Sequence, residues 1–257
     1  MKKIFIWFTL IIGIIAVMGA CKKSEDDSST AATATCAGMT VAEVTCNDTA
    51  SGSITGIDNM TMSGTYDPYH QFGIAGIAGV DNTTGCISAA GLLASLGGPT
   101  GTASILTGTS VTSSSSMATK FKYYSDSSCT TEIASIVYGF TEVTVGDNVT
   151  TSTSVSGKSS TYPSTATQVT YKTSCIKLKG SNAAGVTFLD NLYGGALEID
   201  AGTEYSCANS GSKYLLMHLL DTSALSVGTD AIFYFDDNDS AYPTDWTSGV
   251  STFTKMP

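Results

Sequence analysis

Few residues in this chain have the type and spacing that chemistry needs. A hydroxyl nucleophile works through a His backed by an acid, and the chain has only 2 His. His70, in Asp67-Pro68-Tyr69-His70, reads as a turn residue, and His218, within Tyr214 to Leu220, as the polar side of a strand. Neither lies near a Gly-x-Ser-x-Gly elbow, which the chain lacks, so no catalytic residue is assigned and no enzymatic activity is expected. Asp236, Asn238 and Ser240 follow the opening order of a calcium loop, but Ala241 stands where the loop needs Gly and Thr247 where it needs Glu. The segment reads as a solvated acidic hairpin end, with weak Ca²⁺ binding as the alternative. The run Gly-Ile-Ala-Gly-Ile-Ala-Gly-Val at 73–80 lacks the glycine order of a dinucleotide loop, and no cofactor is expected.

Cysteine offers more. The chain has 7 Cys, at positions 21, 36, 46, 86, 129, 175 and 207. Cys21 sits directly after an apolar leader, which leaves Cys36, Cys46, Cys86, Cys129, Cys175 and Cys207, an even set that predicts up to three disulfides in an exported chain. Sequence neighbours form the simplest pairing: Cys36 with Cys46, Cys86 with Cys129, Cys175 with Cys207. A metal site is the rival, but no pair has Cys-x-x-Cys spacing.

The leader itself is Lys2-Lys3, an uncharged run from Ile4 to Met18, the small pair Gly19-Ala20, then Cys21. Met18-Gly19-Ala20-Cys21 resembles the lipobox of bacterial lipoproteins, with Met in place of the usual Leu. The Lys-Lys start and Ser/Thr-rich body make the chain similar to spirochaete lipoproteins, the leptospiral kind above all. The resemblance implies that residues 1–20 are a signal peptide and that Cys21 becomes the N-terminus, carrying a diacylglycerol thioether and an amide-linked acyl chain. It also implies export and a membrane held through this anchor, the outer membrane or cell surface in preference to the inner membrane. Several acyl chains at ~0.8 kcal/mol per buried methylene make desorption negligible. Residues 21–35 contain no large apolar side chain and read as a flexible tether.

The rest of the chain must position whatever function there is. Its 34 Ser and 38 Thr make up over a quarter of 257 residues, and charged residues only 13%, a mixture that favours strands and turns over helices. All 12 basic residues are Lys, against 22 acids. Removal of Lys2 and Lys3 leaves 10 Lys and a mature side-chain charge of −12. A nucleic-acid partner is excluded, because phosphate recognition needs a basic stripe and favours Arg.

Residues 36–257 read as a single disulfide-stabilised β domain. Met60 and Met62 alternate with polar residues, as do Phe121 and Tyr123; Ile136, Tyr138 and Phe140 share a face that Val143 and Val145 continue after a phase change near Thr141, predicting a bulge. Gly146-Asp147-Asn148 is expected to turn the chain. Val169 to Lys179, Leu197 with Ile199, Tyr214 to Leu220 and Ile232 to Phe235 supply further strands, and Ser88 to Leu96 one short helix capped by Ser88. The Ser/Thr-dense stretches 107–119 and 150–167 are expected to be exposed connections. The predicted fold is all-β, an antiparallel closed or partly closed barrel, with a two-sheet β-sandwich as the alternative. Gly64-Thr65-Tyr66 resembles the Gly-x-Trp opening of lipocalin-like barrels, and Tyr124 to Cys129 resembles the tight turn ending in Cys of some secreted lipocalin-like domains, which ranks barrel above sandwich.

Consecutive aromatic residues on a strand point to opposite faces, so Tyr124 and Tyr234 are the candidates for exposed binding residues. The expected function is a non-catalytic, membrane-anchored surface or envelope lipoprotein that binds a protein or matrix partner. The alternatives are a carrier of a small apolar ligand inside the barrel and, last, an envelope hydrolase.

Overall fold

The computed structural model describes residues 35–36, 40–41, 46–68, 79–81, 83–221 and 231–256. The signal segment, Cys21, most of the tether and His70 lie outside them. The strands are β1 (Thr35–Cys36), β2 (Thr40–Val41), β3 (Ser53–Ile57), β4 (Met60–Ser63), β5 (Thr65–Asp67), β6 (Ser104–Val111), β7 (Met117–Tyr124), β8 (Glu132–Thr150), β9 (Thr165–Gly180), β10 (Leu197–Glu198), β11 (Glu204–Asp221), β12 (Ala231–Asn238) and β13 (Ser251–Lys255). Two short helices accompany them, α1 (Ala90–Leu96) and α2 (Ala183–Leu192).

From β5 onward each long strand pairs antiparallel with the next, and β13 returns to β5 with Thr254 opposite Asp67 and Lys255 opposite Tyr66. This is a closed eight-stranded up-and-down barrel. The barrel expectation holds, and the sandwich falls. Gly64-Thr65-Tyr66 does open the first barrel strand, with the Tyr66 ring 1% exposed in the core.

Four expectations about elements need correction. First, α2 was not foreseen; Asn182 caps it by accepting a hydrogen bond from the Gly185 amide at 3.0 Å. Its approach to the barrel depends on missing side chains, since a Cβ on Gly185 would collide with the Ile133 carbonyl and one on Gly180 with the Val186 amide. Ser88 does not cap α1, because its hydroxyl is turned to the Gly79 carbonyl. Second, the stretch 107–119 is mostly strand: β6 and β7 enclose only a short turn. Thr107 and Thr109 occupy interior positions between Ile105 and Val111 and are buried because their hydroxyls are paired, Thr107 to the Asp67 carboxylate at 2.9 Å and Thr109 to Thr119 at 2.9 Å. Third, Gly146-Asp147-Asn148 does not turn the chain. β8 runs on to Thr150, and the register slips between Val145 and Asn148 as it does around Thr141, where the predicted bulge is found.

The fourth correction concerns 150–167. β9 begins at Thr165, and the connection before it is packed down: Val155, Tyr162, Trp246, Val250 and the outward residues Ala166 and Leu216 form a cluster on the outside of the barrel. The Trp246 indole donates to the Pro163 carbonyl at 2.8 Å, and the Asp245 carboxylate accepts from the Ser152 amide at 2.7 Å. Two surface loops thereby bury each other.

Two disulfides have both partners described. Cys86–Cys129, with Cα atoms 5.9 Å apart, is the sequence-neighbour pair expected. Cys46–Cys175 is not, and it overturns the Cys36–Cys46 and Cys175–Cys207 pairings. Nearness in sequence failed here because Cys46 belongs to a segment lying across the outer wall, where it meets β9. Gly139 on β8 lies under this bond; a Cβ there would collide with the Cys175 sulfur and come within 3.3 Å of the Cys46 sulfur. Cys207 is also disulfide-bonded.

Two outcomes test this account. Peptide mapping without reduction should recover Cys46–Cys175, Cys86–Cys129 and a third bond from Cys207 to Cys36, because Thr40 pairs with Ala208 and Cys36 is only four residues from it; a Cys207 bond to Cys21 would refute the third. Gly139→Val should lower stability by about 1–3 kcal/mol in urea unfolding, and an unchanged midpoint would show that the bond does not rest on this glycine.

Candidate functional site

The barrel interior is the first place to look for a site, because an eight-stranded barrel is just wide enough either to be filled by side chains or to hold one small ligand. One end of it is covered by the chain's own hairpin, which turns an apolar face inward and leaves Thr55, Gly56, Asn59 and Thr61 exposed on the other. Ile57-Asp58-Asn59-Met60 joins β3 to β4, with both central residues at positive φ (48° and 62°), the conformation of a two-residue hairpin turn. Ile54, Ile57 and Met62 from the hairpin, each 2% exposed or less, pack against Tyr66, Val111, Met117, Val143, Val169, Leu215 and Phe253. These partners come from seven barrel strands, and Phe235 of the eighth packs against the same cluster. Only the inside of the barrel can bring them together.

The other end is closed by α1, α2 and β10. Leu96, Leu189, Tyr193 and Leu197 pack on Ile105, Tyr123, Ile136, Tyr138, Ile176 and Leu178. Burial drives the Tyr138 phenol well above its ordinary pKa and pushes Tyr193 up to about 12, so both rings stay neutral and apolar in effect.

His218 does acquire an acid neighbour, which the sequence did not reveal. Its Nδ1 lies 2.9 Å from the Asp58 carboxylate, poorly aligned for a hydrogen bond, and both side chains are largely buried. The same carboxylate oxygen accepts from the Leu219 amide at 3.3 Å. The nearest hydroxyl in this network is committed: Thr167 accepts from the Asp58 amide at 2.8 Å and donates to the Asn148 side chain at 2.7 Å. The arrangement fastens the hairpin tip to β11 and β9. It leaves no hydroxyl poised on the imidazole among the described bonds.

The acidic segment is also drawn into the protein. Asp236 is 3% exposed and accepts from the amide and hydroxyl of Thr247, while Asn238 accepts from the amide and hydroxyl of Ser240 at 2.9 and 3.0 Å. The three calcium candidates are thus bonded within the protein and are not gathered on a common centre. Among the described residues no group of three or more His, Cys, Asp or Glu could hold a metal ion.

Tyr124 and Tyr234 are not exposed. Tyr124 is 8% exposed, and burial, with help from Glu132, pushes its pKa up to about 12. Tyr234 is half-buried, edge-on to Tyr162 and His218 at 6.3 and 6.0 Å between ring centres. Alternation placed both outside the barrel correctly, but this barrel carries an outer layer of loops. Every aromatic side chain whose burial is described is buried or half-buried.

The outer wall of β7, β8 and β9 shows what that layer does. Lys120 and Lys122 on β7 stand beside Lys177 and Lys179 on β9, and Asp48 is held among them, 3.4 Å from Lys122 and 3.8 Å from Lys177. Burial pushes Asp48 upward, but the pull of Lys122, Lys177 and Lys120 prevails and holds it below the usual carboxylate range. With Cys46–Cys175 two residues away, the segment at 46–48 is stapled to the wall by a covalent and an ionic contact. A cleft of about 380 Å³ lies near the other disulfide, lined by Asp81, Thr84, Ser88, Ser127 and Ser128 together with Gly79, Val80 and Cys86. Three of its hydroxyls are donated within the protein, Thr84 to the Asp81 carboxylate, Ser88 to the Gly79 carbonyl and Ser128 to the Asp126 carboxylate. No protein-family model matches this chain, and no curated protein is similar enough in sequence to align with it.

Asp48→Asn provides the pH test. A carboxylate depressed in the folded state stabilises fully above its unfolded pKa of about 3.8 and loses that contribution as pH falls through the lower folded value. The variant should be less stable than the parent by of order 1 kcal/mol near neutral pH, and the gap should close on acidification below the unfolded pKa. A gap that stayed constant across the acid range would show that the charge plays no part.

Proposed function

We propose that this chain is an exported bacterial lipoprotein, held to a membrane by acylation of Cys21, and that its barrel is a non-catalytic module binding a protein or matrix partner on its outer surface. The observation that carries this reading is the filled interior: a hairpin from one side and helices from the other place the chain's own side chains where a carrier would hold its ligand. Disulfide bonding at Cys46, Cys86, Cys129, Cys175 and Cys207 suits a chain that matures in an oxidising compartment. Thirteen residues lie between Cys21 and Thr35, a tether with an extended reach of about 50 Å, which lets the module stand clear of the lipid. β1 and β2 meet the barrel at its α2 end, through Leu197 and Cys207, opposite the end that the hairpin covers. Outer membrane or cell surface is the destination we favour over the inner membrane.

Partner contacts are expected to be neutral and polar, because hydroxyl residues make up over a quarter of the composition and charged residues only 13%. The apolar-carrier reading draws on the closed barrel alone.

Metabolic labelling with a radioactive fatty acid should tag the parent chain, and the Cys21→Ala chain should take up none; equal label in both would end the lipoprotein reading. Native mass spectrometry of the same protein should find the barrel free of bound apolar molecules. A stoichiometric lipid would transfer the proposal to the carrier. Protease treatment of intact cells should degrade the barrel, and full protection would place it on the periplasmic side, where no external matrix partner could reach it.

A further inference from the structure

The interior face of the β11–β12 pair holds a group of side chains that the packing of the barrel does not explain. Lys213 lies two positions before Leu215 and opposite Tyr171, so it points inward with them. Asp237, opposite Leu215, shares that face, and Asp239 follows two residues later. The Lys213 and Asp237 side chains are each 9% exposed, with Nζ 3.6 Å from the nearer carboxylate oxygen, while Asp239, 73% exposed, makes direct contact with the same Nζ. A buried ammonium and a buried carboxylate each cost several kcal/mol of lost hydration. Turning the pair into a neutral amide removes both charges from the interior.

We propose that Lys213 Nζ and Asp237 Cγ are joined by an intramolecular amide bond that the folded protein forms by itself, with Asp239 as the proton-transfer group. Asp239 takes a proton from the Lys213 ammonium. The freed lone pair attacks Cγ of Asp237, a new Nζ–Cγ bond forms, and one Cγ–O bond breaks. Asp239 relays a proton to the departing oxygen, which leaves as water, and the remaining surplus proton passes from nitrogen through Asp239 to solvent. Ammonium and protonated carboxylic acid become amide, water and one proton released to solvent, so nothing is oxidised or reduced and no cofactor takes part. Three features suit the step. Held side chains replace a bimolecular encounter, which is worth many orders of magnitude in rate. Burial, reinforced by Asp239 and Asp236 and opposed by Lys213, raises the Asp237 pKa and favours the protonated acid, the better acyl donor. The exposed side of Asp239 gives the product water a way out.

The assignment of acceptor follows from burial. Asp239 is nearer to Nζ, but a solvated carboxylate is a poor electrophile and a good base; Asp237, enclosed beside Tyr171 and Leu215, is the reverse. The bond would tie β11 to β12 across a hairpin, and unlike a disulfide it would survive a reducing environment.

Trypsin reads the bond directly, because it does not cleave after an acylated lysine. Purified full-length protein, reduced and alkylated before digestion, should yield one peptide spanning 180–255, lighter by one water than its sequence and joined internally between Lys213 and Asp237 on fragmentation. Lys213→Arg should abolish the mass loss. Because loss of the buried lysine can itself disturb folding, Asp239→Asn is the second arm, and in refolded protein the linked peptide should appear roughly 100-fold more slowly. Separate 180–213 and 214–255 peptides at full mass from the parent protein would overturn the proposal and leave an ordinary ion pair. Linkage to Asp239 in place of Asp237 would overturn the assignment of acceptor, and an unchanged rate in Asp239→Asn would overturn its proton-transfer role.

Discussion

Closing eight strands into a barrel removes every exposed edge but creates an interior that has to be filled. This chain lines much of its wall with small polar residues: Thr107, Thr109, Thr167 and Thr173 are buried there. Such a wall cannot close on itself at the density of a protein core. The β3–β4 hairpin supplies the missing bulk. Ile54, Ile57 and Met62 reach residues of the surrounding strands, and the Asp58 carboxylate at the tip meets the Leu219 amide and His218. Removing the hairpin would leave hydroxyl-bearing strands facing a void, so the barrel and its plug stand or fall together.

The outside follows the same logic at lower cost. Strands with apolar residues on both faces need a second layer, and loops provide it. Val155, Tyr162 and Trp246 cover Leu216 and Ala166, and the 46–50 segment lies over the lysines of β7 and β9. Gly139 is where this layer comes closest to the wall, at the Cys46–Cys175 bond. The covering loops take up the aromatic side chains that would otherwise form a sticky surface. What remains outside among the described residues is largely hydroxyl and carboxylate.

Buried charge is spent in different ways across the molecule. Asp48 sits among lysines that lower its pKa, whereas Asp236 and Asp237 lie where burial raises theirs. The first stabilises the fold as pH rises; the latter two oppose it over the same direction, because the unfolded chain releases those protons more readily. The Lys213 group therefore stands out as a place where two charges are held at a cost, next to a third that can move a proton.

Much of the architecture could be read directly from residue order. Period-two runs such as Ile136, Tyr138 and Phe140 marked strands, the phase change at Thr141 marked its bulge, and the even cysteine remainder marked disulfide bonding, since each of these signals is local or arithmetical. β6 was hidden because its interior Thr residues look polar until a partner such as Asp67 satisfies them, and α2 because its close approach depends on Gly180 and Gly185. The Cys46–Cys175 bond, the burial of Tyr124 and Tyr234, and the meetings of Asp58 with His218 and of Lys213 with Asp237 join residues that sequence order leaves unconnected. Periodicity tells a residue which face of a strand it occupies. Only the packed structure decides what lies against that face, because solvent and a covering loop leave the same mark on the sequence.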